Sequence, residues 1–213
     1  MTAPHDFAAR LATCPLVAII RGVEPHEVEA IGDSLFEAGF RIIEVPLNSP
    51  DPLESISRLA RRFGDRALIG AGTVLHVEQV ANVAAAGGRI VVSPGTDVDV
   101  IAATIAAGMV SAPGYFTPSE AFAALKAGAH ALKLFPAEGA SPAVVKAHRA
   151  VLPREVPLLV VGGVTPDRMG EYLAAGANGF GLGGALYKPG QSPNQVAEQA
   201  RAFVAALSDK AAR

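Results

Sequence analysis

Short apolar runs alternate with amphipathic stretches from one end of the chain to the other. The runs cover residues 16–20, 42–47, 68–72, 90–93, 109–112, 131–134, 158–161 and 179–182. Each is too short for a buried helix and is bounded by Gly, Pro or charge, so each reads as a strand covered on both faces. Between them, apolar positions recur at helical spacing over roughly 27–38, 51–63, 76–86, 97–107, 118–127, 141–151, 167–175 and 192–207. Pro25, Pro118, Pro142 and Pro166 sit near helix starts, where a missing N–H is tolerated. Gly39, Gly87, Gly108, Gly128 and Gly176 sit where left-handed caps belong. The phrases Glu37-Ala38-Gly39-Phe40, Lys126-Ala127-Gly128-Ala129 and Ala174-Ala175-Gly176-Ala177 each lead a helix into a strand, at intervals too irregular for a solenoid.

Eight strand–helix units in 213 residues predict a single α/β domain over residues 1–213, a (β/α)8 TIM barrel. An open doubly wound sheet is the rival architecture. Residues 1–14 read as an N-terminal extension or helix and residues 208–213 as a frayed tail. No shift of composition marks a linker.

Composition removes several function classes. Half the residues are apolar, 18% are charged and the net charge is −2, so nothing global draws the chain to nucleic acid or to an anionic membrane. Any anion is therefore expected to be held by a local arrangement. No window approaches the ~18 consecutive apolar residues of a membrane span, and the N-terminus lacks the apolar stretch of a signal peptide. Cys14 is the single cysteine, which excludes an intramolecular disulfide and a cysteine-rich metal site and agrees with a reducing cytoplasm. His5, His26, His76, His130 and His148 show no metal-ligand spacing, so no metal is expected.

In such barrels the working face lies at the C-terminal strand ends. Those ends carry Arg21, Glu44, Thr73, Pro94, Pro113, Lys133, Gly162-Gly163 and Gly183-Gly184. Lys133 lies in Ala131-Leu132-Lys133-Leu134-Phe135-Pro136. Burial there disfavours its ammonium form and tunes it towards a nucleophile; the alternative is a lysine snorkelling into solvent. Arg21 nearby would push the same way and Glu44 the opposite way. Glu44, in Ile42-Ile43-Glu44-Val45-Pro46-Leu47, reads as a general acid–base or as a salt-bridge partner of Arg21 or Lys133. The Arg21 fork suits a carboxylate, or an ion pair with Glu44. Thr73 either offers a hydroxyl to a ligand or caps the next helix. Gly162-Gly163 and Gly183-Gly184 follow the seventh and eighth strands, where this fold frequently binds phosphate; their alternative is two tight turns without a ligand.

The motifs Lys133-Leu134-Phe135-Pro136-Ala137, Glu44-Val45-Pro46-Leu47, Gly70-Ala71-Gly72-Thr73-Val74 and Gly162-Gly163-Val164 together resemble the family of 2-keto-3-deoxy-6-phosphogluconate and -phosphogalactonate aldolases. The resemblance runs from about residue 15 to residue 207. It implies a class I aldolase in which Lys133 forms the Schiff base and Glu44 shuttles protons. Arg21 and Thr73 would hold the keto-acid end, and Gly162, Gly163, Gly183 and Gly184 the phosphate end. Pro94, Phe135 and Val161 join them as substrate-binding candidates. The implied partners are a phosphorylated 2-keto acid and two further copies of the chain, a homotrimer without cofactor. Glu44-Val45-Pro46-Leu47-Asn48-Ser49-Pro50 is similar to the phosphogalactonate branch, because the other branch usually carries threonine at Pro46 and arginine at Asn48. Val161 points the same way, where the other branch often has threonine. The same reaction on the C4 epimer, or on both, is the alternative. Gly184 departs from the family, which commonly has serine there. The rival functions are a phosphosugar isomerase and a non-catalytic phosphosugar-binding barrel.

Overall fold

The computed structural model describes residues 3–211, and residues 212 and 213 of the expected frayed tail lie outside them. A leading helix α1 (Ala3–Thr13) precedes the first strand; residues 1 and 2 of the expected N-terminal segment lie outside the described residues. The strands that follow are β1 (Leu16–Ile19), β2 (Ile42–Pro46), β3 (Leu68–Gly72), β4 (Ile90–Val92), β5 (Val110–Ala112), β6 (Gly114–Tyr115), β7 (Leu132–Leu134), β8 (Leu158–Val161) and β9 (Gly179–Leu182). Helices α2 (Val28–Ala38), α3 (Pro52–Phe63), α4 (Val77–Ala85), α5 (Val98–Ala106), α6 (Pro118–Lys126), α7 (Pro142–Arg149), α8 (Met169–Ala174) and α9 (Pro193–Ala211) fill the gaps. α9 continues through Ala211, so residues 208–211 extend that helix.

All pairings are parallel, in the order β5-β4-β3-β2-β1-β9-β8-β7-β6. β5 and β6 are two halves of one barrel strand, parted by Pro113, which has no N–H to donate. The Pro113 carbonyl still accepts from the Lys133 N–H at 2.9 Å, and the Ser111 carbonyl from the His130 N–H at 2.9 Å, so the circle closes. The predicted barrel stands and the open-sheet rival falls. Gly39, Gly87, Gly108, Gly128 and Gly176 all adopt positive φ. Pro118 and Pro142 open their helices, whereas Pro25 and Pro166 lie in turns ahead of α2 and α8.

Strand alternation divides the core in two. Leu16, Ala18, Ile43, Val45, Leu132, Leu134, Leu158 and Val160 face the helices. Val17, Ile19, Ile42, Leu68, Ile90, Val92, Val110, Ala112, Ala131, Leu159 and Val161 fill the barrel, with Phe7 and Leu11 of α1 in the same cluster. The interior series therefore continues along β1 from Val17 and Ile19 to Arg21, along β2 from Ile42 to Glu44, and along β7 from Ala131 to Lys133. The candidate reactive residues are the next interior positions of strands whose earlier interior positions are hydrocarbon.

Candidate active site

Glu44 is 1% exposed and Lys133 is 6% exposed. Burial pushes the Glu44 carboxyl from 4.5 up to about 7, against the opposing pull of Lys133 and Arg21. Burial likewise lowers the Lys133 pKa; Glu44 works against that shift and Arg21 adds to it. Burial therefore outweighs the carboxylate for the lysine. Glu44 Oε2 is buried and has no hydrogen-bond partner among the described residues. The Lys133 ammonium lies 4.7 Å from the centre of the Phe135 ring, whose face favours a cation.

Gly72 makes this arrangement possible. It is an interior position of β3, and a Cβ there would sit 1.8 Å from Glu44 Oε2. The missing side chain is the space the carboxylate occupies.

Arg21 donates to Asn48 Oδ1 and, at 3.3 Å, to Thr73 Oγ1. Thr73 has φ 55, a left-handed conformation costly for a β-branched residue. Its hydroxyl is thereby turned to the guanidinium. Asn48, which the sequence offered only as a marker of one family branch, is a holder of Arg21.

A cavity of about 750 Å³ opens beside these groups. Arg21, Phe135 and Val161 line it, and Gly162, Gly163, Gly183 and Gly184 close its far end. Gly162 and Gly163 have φ 115 and 59, a backbone that other residues adopt only under strain. The turn after β9 is fixed by bonds from Leu186 and Tyr187 N–H to the Gly183 carbonyl at 2.8 and 3.0 Å. Two charged residues that the strand-end pattern missed, Glu138 and Lys188, also line this end. Glu138 lies in a short 3-10 turn (Ala137–Gly139) and Lys188 in a loop, both outside the period-two pattern. Glu44, Thr73, Lys133 and Pro94 are not among the residues lining the cavity; Lys133 adjoins it through the Phe135 ring and Thr73 through Arg21, whereas Pro94 follows β4 with its carbonyl against Gly114. Among the described residues no cluster of three or more His, Cys, Asp or Glu is placed to hold a metal.

A barrel that buries an amine and a carboxyl inside its strands, beside a cavity with an arginine at one end and glycine turns at the other, has the build of a (β/α)8-barrel aldolase, a carbon–carbon lyase. The comparisons make the class particular: residues 7–198 match the family model described as KDPG and KHG aldolase, and the chain belongs to that family. A protein of Escherichia coli (strain K12) named 2-dehydro-3-deoxy-6-phosphogalactonate aldolase is 46% identical over 195 residues, covering 92% of this chain and 95% of that protein. A protein of Rhizobium meliloti (strain 1021) named probable 2-dehydro-3-deoxy-6-phosphogalactonate aldolase is 48% identical over 192 residues, covering 90% and 91%. A solved structure described as native KDPGal superposes with a TM-score of 0.92 at 45% identity, covering 93% of this chain and 97% of that one.

Proposed function

We propose that the chain cleaves 2-dehydro-3-deoxy-6-phosphogalactonate to pyruvate and glyceraldehyde 3-phosphate, with Lys133 as the Schiff-base residue. The observation that carries this reading is the buried pair itself: an amine shifted down and a carboxyl shifted up to about 7, on facing parts of one barrel interior. These shifts make proton exchange near neutral pH easy in both directions.

Neutral Lys133 attacks the C2 ketone, and Glu44 passes protons as the carbinolamine loses water. The protonated imine draws electrons from the C3–C4 bond once the C4 hydroxyl gives its proton to Glu44. Glyceraldehyde 3-phosphate leaves. The enamine takes a proton at C3, and water then releases pyruvate and the free amine. Arg21, with Thr73, holds the carboxylate through a planar fork. The turns at Gly162-Gly163 and Gly183-Gly184 receive the phosphate through backbone N–H groups. Fixing both ends sets C3–C4 against the acid–base pair. Phe135 and Val161 supply apolar wall between them. The buried methyl surface of Val161, in place of a hydroxyl, favours the galactonate configuration at C4.

We also infer a homotrimer working in the cytoplasm. Leu75, Val77, Val98, Phe116 and Phe122 are exposed and fall in the segments around α4, α5 and α6, an apolar flank suited to other copies of the chain. The single free cysteine, Cys14, is buried and suits a reducing compartment. No helix among the described residues is long and apolar enough to cross a membrane.

The test supplies each C4 epimer separately and measures pyruvate release. Faster cleavage of the phosphogalactonate epimer supports the proposal. Preference for the phosphogluconate epimer overturns the substrate assignment, and no pyruvate from either overturns the reaction.

A further inference from the structure

Formal charge on the cavity lining comes from three residues, Arg21, Glu138 and Lys188. Arg21 is already engaged with Asn48 and Thr73 at the keto-acid end. Glu138 rests on the glycine pair: a Cβ at Gly162 would lie 2.1 Å from Glu138 Oε2, and one at Gly163 would lie 2.8 Å from Glu138 Cγ. The surface assigned to phosphate is therefore faced by a carboxylate, and like charges 3–4 Å apart repel strongly. Backbone N–H groups alone would have to overcome that repulsion, without the hydroxyl that Gly184 lacks.

Lys188 is the second cation on the lining, four residues after Gly184. Its backbone is held on both sides. The Lys188 N–H donates to Gln191 Oε1 at 2.7 Å, and the Tyr187 hydroxyl donates to Glu27 Oε1 at 2.8 Å. Pro189 is seated on Gly22, where a Cβ would come within 2.7 Å of Pro189 Cγ. The Lys188 side chain, by contrast, is exposed and enters no ion pair among the described residues. A fixed backbone carrying an unpaired lysine among the lining residues is what an anion clamp requires.

We propose that Lys188 selects the phosphorylated form of the substrate by supplying the charge its phosphate meets, with Glu138 set against it. This rests on the aldolase reading above and assigns one part of its specificity. Glu138 is exposed and free to swing off the glycines when phosphate arrives; Lys188 offsets the charge that Glu138 brings. Substitutions at the two positions therefore act in opposite directions.

The experiment measures kcat/KM for 2-dehydro-3-deoxy-6-phosphogalactonate and for its unphosphorylated counterpart in the wild type, Lys188→Met, Lys188→Arg and Glu138→Gln. Lys188→Met lowers the phosphorylated-to-unphosphorylated ratio about tenfold, through KM rather than kcat. Lys188→Arg keeps the ratio near that of the wild type, and Glu138→Gln raises it a few-fold. An unchanged ratio in Lys188→Met, or an equal loss on both substrates, overturns the proposal. Calorimetry with inorganic phosphate separates this from the reaction itself. If the wild type cleaves neither substrate, weaker phosphate binding in Lys188→Met still supports the clamp, and unchanged binding overturns it.

Discussion

Beside the cavity, the keto-acid candidates are side chains carried on β2, on β7 and just after β1, whereas the phosphate candidates are backbone groups in the turns after β8 and β9. The first has a dry centre: Glu44 and Lys133 are buried, and burial is the largest cause of both pKa shifts, while Arg21 beside them is exposed. The second is open, with Gly163 and Gly184 exposed. The difference follows from what each end has to do. Bonding to the ketone carbon needs an uncharged amine, which burial favours most and the nearby Arg21 favours further. Holding an anion needs donors and charge, which tolerate water.

The contrast is most exposed at Glu44. Glu44→Gln keeps the shape and removes the proton shuttle, so kcat is expected to fall by roughly 10²–10⁴ while pyruvate binding changes little. Equal loss of both would reduce Glu44 to a binding residue. The same variant reads the cost of the dry end in stability. The folded-state pKa of Glu44 is raised from 4.5 to about 7, so across that window the folded chain keeps a proton that the unfolded chain has released. Stability contributed at Glu44 is thus lost as pH rises through the window. Glu44→Gln should gain on the wild type at pH 8 relative to pH 5 by about 2 kcal/mol in denaturant titrations. A gain that is the same at both pH values would mean that the carboxyl titrates normally.

A smaller effect separates the two ends through their glycines. At Gly72 an added Cβ meets the Glu44 carboxylate at 1.8 Å, whereas at Gly184 it meets nothing within 4 Å. Gly72→Ala displaces the acid–base group and lowers kcat by about tenfold or more, since a misplacement of ~1 Å is costly in catalysis. Gly184→Ser leaves kcat alone and lowers KM for the phosphorylated substrate about twofold by adding one hydroxyl donor. Similar kinetics for the two variants would erase the distinction between a packed end and an open one.

The same contrast explains what could be read from the chain. Glu44 and Lys133 stood out because a charge inside an apolar strand run is conspicuous, and period-two alternation from Ile42 and Ala131 carries both inward. The eight runs foresaw the barrel but not the break at Pro113, since a two-residue strand such as β6 has no pattern of its own. The leading helix α1 was an open choice because its apolar positions, Phe7 and Leu11, are few. Gly72 could be placed in its motif, yet its purpose is visible only beside the Glu44 carboxylate. Asn48 and Lys188 lie in loops and Glu138 in a single 3-10 turn, where side-chain direction depends on tertiary contacts and no periodicity reports it. Pro94 looked equivalent to the other strand ends, and only its packing, with the carbonyl against Gly114, sets it apart.

The central claim is that the Lys133 amine bonds covalently to a keto acid. Incubating the protein with pyruvate and sodium borohydride, then mapping the adduct by mass spectrometry, tests it most directly. The account predicts one reduced pyruvoyl adduct on Lys133, absent without borohydride and absent in Lys133→Ala, whose aldol cleavage is also lost. An unmodified Lys133, or an adduct on another lysine with cleavage retained in Lys133→Ala, would contradict it.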